Sequence, residues 1–165
     1  MLEIRSVGGS DAAALRELRL RALAGSPRSF ASSVAEESAF GEERWTELAT
    51  QSAAGDDYAV LVAVLDGAWI GMAAGRWFDR RRGVAQLWGM WVDPAQRRHG
   101  VGGRLVAAIR EWAAGHGARF LRLGVIGDVP GLAAFYEDLG FVRSGEERPL
   151  ARDPDRLAVF LVRPV

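Results

Sequence analysis

Near the middle of the chain, Arg97-Arg98-His99-Gly100-Val101-Gly102-Gly103 stands between an apolar stretch and an amphipathic one. Glycines let a backbone take φ > 0 and approach a ligand closely, so that successive N–H groups converge on one anion. A helix starting immediately afterwards adds its unpaired N–H groups and its dipole to the same attraction. Arg97, Arg98 and, at the head of the following run, Arg104 bring charge suited to phosphate oxygens. An ordinary strand-to-helix connection with solvated arginines has the same spacing. Two phosphate-binding patterns are excluded. There is no G-x-x-x-x-G-K-[ST], and the chain contains no lysine at all. Nor is there a G-x-G-x-x-G with an acidic residue at dinucleotide-binding distance.

Other chemistry is sparse. Without cysteine there is no thiolate nucleophile, disulfide or cysteine metal site. The two histidines are His99, inside the glycine-rich turn, and His116, just past a helix end, and neither is placed to act as a base. No His/Asp/Glu spacing resembles a metal site, so no metal is expected. The acidic pair Glu36-Glu37 would suit a cationic substrate, but reads first as two solvated carboxylates. Tyr136, in Phe135-Tyr136-Glu137-Asp138-Leu139-Gly140-Phe141, reads from composition alone as a core aromatic.

Taken together these residues resemble the GNAT superfamily of acyl-CoA-dependent N-acetyltransferases. Arg97 to Gly102 fits its [RQ]-x-x-G-x-[GA] signature, the preceding strand ends Val92-Asp93-Pro94, and Tyr136-x-x-x-Gly140-Phe141 follows at the right distance. The resemblance covers most of the chain and is strongest from Val84 to Val142. It implies acetyl-CoA as cosubstrate, held by Arg97, Arg98, His99, Gly100, Val101, Gly102, Gly103 and Arg104, with Met90, Trp91 and Val92 along the pantetheine arm. It implies Tyr136 as the group that hydrogen-bonds the leaving sulfur. A phenol titrates near ~10 and a thiol near ~8.5, so full proton transfer would run uphill by roughly 2 kcal/mol, and hydrogen bonding is the safer role. Two departures stand out. Gln86 occupies the position, eleven residues before Arg97, where histone-type members carry a general-base glutamate, and Val129 stands where many relatives have asparagine. Without that base, an α-amine near pKa 7.7–8.0 is an easier acceptor than a lysine-like amine near 10.4.

The elements that must position these groups follow from pattern. Leu2 to Val7 reads as a first strand and Ala12 to Ala24 as a helix with Leu15, Leu18 and Ala22 inward. Arg28 to Phe40 is irregular, and Glu42 to Ser52 is a second helix. Tyr58 to Leu65 and Ala68 to Phe78 form a hairpin around Asp66-Gly67. Arg80-Arg81-Arg82 reads as a solvated turn. The strand Val84 to Val92 carries Gly89 at its centre, the mark of a bulge. A helix over Arg104 to Trp112 and a strand over Arg119 to Ile126 complete a right-handed crossover. A helix from Leu132 to Leu139 follows, then strands over Phe141 to Ser144 and Leu157 to Val162, joined by a charged loop through Arg148 and Asp155. The fold expected is one α/β (α+β) domain over residues 1–165: a mixed central sheet of about six to seven strands, helices on both faces and a splayed parallel pair.

With 21 basic and 21 acidic residues the charges balance, which argues against a general affinity for nucleic acid or acidic membranes. The N-terminus lacks a signal peptide's apolar core and no run approaches membrane-spanning length, so the chain reads as cytoplasmic. The expected reaction is transfer of acetyl from acetyl-CoA to a primary amine of a small molecule or peptide by direct attack. The competing readings are a protein N-terminal acetyltransferase and a non-catalytic acyl-CoA-binding module. A homodimer is a state the resemblance allows.

Overall fold

Two apolar faces alternate along the middle strands, and they decide the architecture. In a computed structural model that describes all residues 1–165, β2 (Tyr58–Leu65) turns Leu61 and Ala63 to one side and Val60 and Val62 to the other. β3 (Ala68–Asp79) divides Ile70 and Ala73 from Met72 and Ala74 in the same way. Strands with both faces apolar must be covered on both. The first face receives α4 (Val101–Gly115) through Leu105, Val106, Ile109 and Ala113, with α5 (Leu132–Asp138) through Tyr136. The second receives α1 (Ala12–Gly25) through Leu15, Leu18 and Ala22, and α3 (Glu42–Ala54) through Trp45 and Ala49.

The sheet has seven strands in the order β1-β2-β3-β4-β5-β7-β6, where β1 is Leu2–Ser6, β4 Val84–Val92, β5 Phe120–Ile126, β6 Val142–Leu150 and β7 Asp153–Pro164. Only β4 and β5 run parallel, and they pair only from Val84–Gln86 to Phe120–Arg122. Beyond Gln86 the two strands part. The cause lies in β4: Met72 pairs with Trp91 and Ala74 with Trp88, leaving Gly89 and Met90 opposite Ala73 alone. Gly89 takes φ +61°, the left-handed conformation that an extra residue in a bulge needs.

Three sequence expectations change. Helix α4 starts at Val101, directly behind Gly100, and not at Arg104. Within the segment read as irregular, Val34–Ser38 is a short helix, α2, closed by a capping box: Ser33 Oγ accepts from Glu36 N–H and Glu36 Oε2 accepts from Ser33 N–H. The charged loop through Arg148 and Asp155 is a hairpin, with β6 and β7 paired almost to their tip at Ala151-Arg152. Its polar residues are held by backbone pairing, by Glu146 on Arg122 at 3.1 Å, and by Arg122 stacked between Phe78 and Phe160. Pro149 is tolerated because β6 is an edge strand.

Helix α4 lies unusually near β3. A Cβ on Gly75 would sit 2.8 Å from Cε3 and Cζ3 of Trp112 and 3.2 Å from Ile109 Cγ2, and the indole is fixed by its N–H on the Gly55 carbonyl at 2.6 Å. Gly75→Ala is therefore expected to cost about 1–3 kcal/mol, read as a lower midpoint in thermal or urea unfolding.

Candidate active site

Where β4 and β5 part, two clefts open and meet. The larger, about 690 Å³, runs between the end of β4, the N-terminus of α4 and helix α5; the smaller, about 380 Å³, lies between β4, β5, α1 and the segment preceding α2. They share Ser29, Phe30, Met90, Leu132 and Tyr136.

The larger cleft is built for an anion at one end. From Arg98 to Gly103 no backbone N–H has a hydrogen-bond partner within the protein; the first helical bond runs from Arg104 N–H to the Gly100 carbonyl. Arg98 (φ +64°) and Gly100 (φ +78°) are both left-handed, which turns consecutive N–H groups toward a common point. Gly102 permits the approach, since a Cβ there would lie 2.8 Å from Met90 Cε and 3.0 Å from Phe135 Cζ. Six unpaired amides, the dipole of a 15-residue helix and two arginines suit a pyrophosphate, and the apolar walls beyond suit a pantetheine arm.

Of the residues expected on this ligand, Met90, Trp91, Val92, Arg97, Arg98, Gly100, Gly102, Gly103 and Tyr136 line the cleft. Arg97 is anchored by Nε on the Val92 carbonyl (3.0 Å) and Nη2 on Ser26 Oγ (3.1 Å). The side chains of the other three point elsewhere. Val101 is buried in the core, His99 is exposed and does not line the cleft, and Arg104 donates to the Leu2 carbonyl at 3.2 Å. For Val101 only the backbone N–H can take part.

Tyr136 sits at the junction. Its ring is clamped edge-on between Phe135 (4.9 Å, 74°) and Phe141 (5.8 Å, 81°), and its carbonyl accepts from the N–H groups of Leu139 and Phe141 as the chain leaves α5 through Gly140, φ +86°. The residue is 4 % exposed, and burial pushes its phenol well above the ordinary tyrosine value. Its hydroxyl makes no hydrogen bond within the protein, although the atom is not sealed off.

The smaller cleft differs from expectation in one respect. Glu36 is exposed and caps α2, its carboxyl held below the usual range mainly by the Ser33 N–H. Glu37, read as solvated, is 7 % exposed and takes Arg19 in a two-point pair, Nε to Oε2 at 2.8 Å and Nη2 to Oε1 at 2.7 Å. Sequence reading missed Arg19, yet the signal was present: it lies four residues after Leu15 and three before Ala22, inside the apolar stripe of α1, where a charge requires a buried partner. Gln86 also lines this cleft, accepting from Arg76 Nη2 at 3.4 Å.

A strap from Arg28 to Ser32 borders both clefts and is tied to the β6–β7 hairpin. Arg152 Nε donates to the Ala31 carbonyl at 2.7 Å, and Arg156 donates to the Arg28 carbonyl at 3.1 Å. Arg156 also takes Asp128 at both oxygens, which holds that carboxyl below its usual range.

Residues 20–141 match the Acetyltransferase (GNAT) family. The chain belongs to the GNAT acetyltransferase family. It is an acetyl-CoA-dependent acyltransferase, and its sheet and splayed strands are those of the GNAT fold. No curated protein sequence matches it significantly. Among solved structures it is similar to a GNAT acetyltransferase from Streptococcus pneumoniae, with 22% identity, a TM-score of 0.84, and coverage of 100% of this chain and 99% of that one. YncA of Salmonella typhimurium, solved with its cofactor acetyl-CoA, gives 19% identity and a TM-score of 0.78 over 99% and 94% of the two chains. The ribosomal-protein-S18-alanine N-acetyltransferase of Escherichia coli gives 20% and 0.70 over 100% and 94%. No helix of this GNAT protein is long and apolar enough to cross a membrane.

Proposed function

We propose that this GNAT protein acetylates a primary amine of a small molecule, with acetyl-CoA in the larger cleft and the acceptor in the smaller. The observation that carries this reading is that the two clefts meet at Met90 and Tyr136, on the stretch of β4 beyond Gln86 that has no parallel partner. Acetyl-CoA brings the acyl group and a thiolate leaving group. The turn from Arg98 to Gly103 binds its pyrophosphate, and the open edge of β4 at Met90 to Val92 offers N–H to the acyl oxygen. The acceptor nitrogen bonds to the acyl carbon, the carbon–sulfur bond breaks, and the proton that the nitrogen loses passes to the departing thiolate, so that a neutral amine and acetyl-CoA give the amide and CoA thiol. Tyr136 O–H hydrogen-bonds the departing sulfur.

No residue of the acceptor cleft is free to take the proton. Its only carboxylate, Glu37, is engaged by Arg19, and Gln86 has no basicity. The amine therefore binds neutral, and a nearby guanidinium disfavours the ammonium form. The volume, about 380 Å³, and a lining that takes in Ser29 to Ser32, Leu150 and Ala158 suit a small molecule. The second reading is a protein N-terminus, since a structurally similar enzyme is named for the alanine of a ribosomal protein.

The test is thiol release from acetyl-CoA across amino acids, other small amines, polyamines and short peptides with free N-termini. Saturable turnover with a small amine is the expected result; turnover with peptides alone would overturn the small-molecule reading. A second expectation concerns the phosphates. Arg98→Ala should raise the Kd for acetyl-CoA about tenfold by isothermal titration, less at high salt. Turnover of S-acetylpantetheine, which carries no pyrophosphate, should be unchanged.

A further inference from the structure

The acceptor cleft holds polar atoms that the fold leaves without partners. Arg19 is 6 % exposed. Glu37 occupies one edge of its guanidinium, Nε and Nη2, while Phe30 at 4.9 Å and Trp88 at 5.9 Å hold its plane. The remaining nitrogen, Nη1, has no hydrogen-bond partner and no surface open to bulk water. Trp88 Nε1, on the same wall, is equally unpartnered. Both residues line the cleft, and Nη1 lies 3.6 Å from the position a Cβ would take on Gly89, at the bulge beside the reaction point. A buried donor left unpaired costs about 1–3 kcal/mol, more for a charged group, and native folds retain such groups where something else satisfies them.

The cleft's charges point the same way. Arg19 and Glu37 are its only ionised lining residues, and the charge of Glu37 is already matched by Arg19, which donates to both of its oxygens. Arg76 adds a further cation over the Trp88 ring at 5.7 Å. What the wall holds for a ligand is two unpaired N–H donors, one of them cationic, and no unmatched negative charge. A polyamine finds no partner there.

We propose that the acceptor carries a carboxylate, which Arg19 Nη1 and Trp88 Nε1 bind while its amine reaches the junction at Met90 and Tyr136. This rests on the acetyltransferase reading above and names the class of acceptor. Arg19 is then a specificity-determining residue, rigidified by Glu37 and the two rings before the acceptor arrives, and the Phe30 ring shifts as the acceptor enters.

The experiment compares each common α-amino acid with the amine left when its carboxylate is removed: phenylalanine with phenethylamine, leucine with 3-methylbutylamine, and so on. The expected result is a kcat/KM at least about tenfold higher for the acid of the preferred pair, the size of one charge-assisted hydrogen bond. Arg19→Lys should bring that ratio close to one and Trp88→Phe should lower it several-fold, both with an unchanged Kd for acetyl-CoA. Where Arg19→Lys does not fold, the double variant Arg19→Met/Glu37→Met replaces the ion pair by apolar side chains and reads the same ratio. Equal turnover of acids and decarboxylated amines, or a ratio preserved in the Arg19 variants, overturns the carboxylate site and leaves the acetyltransferase reading standing. Acetyl-CoA binding with no turnover of any amine overturns both.

Discussion

Tyr136→Phe is expected to lower kcat about a hundredfold while leaving the Kd for acetyl-CoA and the unfolding midpoint unchanged, the usual scale for losing one hydrogen bond to charge that develops in a transition state. The separation of effects follows from the surroundings of the side chain. Its ring is fixed by Phe135 and Phe141, which a phenylalanine preserves, and its hydroxyl has no protein partner to be orphaned. The pH profile gives an independent check. Burial holds the phenol above its ordinary value near ~10, so it stays protonated over the working range. The rate should rise with pH as the acceptor amine loses its proton, then level off, with no descending limb from Tyr136 below about pH 10. The variant should keep the rising limb and lose only amplitude. A change in kcat below about twofold would remove Tyr136 from the chemistry.

The largest effect on stability is expected at Glu37. Glu37→Ala leaves the Arg19 guanidinium, 6 % exposed, with an unpaired charge in the protein interior, a change that typically costs about 3–5 kcal/mol. In a chain of this size that is a fall in Tm of about 10 °C, measurable by calorimetry. Arg19→Met/Glu37→Met should recover most of the loss, because removing both charges avoids the desolvation penalty that removing one exposes. A Glu37→Ala protein as stable as the parent would show that water reaches Arg19 and that the pair is not buried in solution.

These two positions also mark how far the sequence could be read. That Tyr136 stands near the end of a helix beside the cleft was legible because its neighbourhood follows a local pattern, Tyr136-x-x-x-Gly140-Phe141, and a helix end with a left-handed glycine is written in adjacent residues. The same holds for β4, an apolar run stopped by Asp93-Pro94 and interrupted by Gly89, and for the turn at Gly100. The Arg19–Glu37 pair joins two segments 18 residues apart, and neither residue announces its partner. An arginine inside an apolar stripe was the one visible clue. The start of α4 was not legible because Gly102 and Gly103 are poor helix formers; the approach of Met90 and Phe135 explains Gly102, and nothing in the structure requires a glycine at Gly103. The β6–β7 hairpin escaped for a related reason. Arg143-Ser144-Gly145-Glu146-Glu147-Arg148 lies on an edge strand whose register breaks between Arg143 and Glu147, and it lacks the apolar alternation that makes a strand legible.

We propose that the amides at the head of α4 and the parted edge of β4 hold acetyl-CoA, with the acyl group at Met90 and Tyr136. Amide hydrogen exchange with and without acetyl-CoA tests it directly, because the N–H groups from Arg98 to Gly103 have no internal partners and must exchange fast in the free protein. Acetyl-CoA should strongly slow exchange from Arg98 to Gly103 and at Met90 to Val92, with the tip of the β6–β7 hairpin unchanged. Unaltered exchange at these amides under saturating acetyl-CoA, or protection confined to another part of the chain, would contradict it.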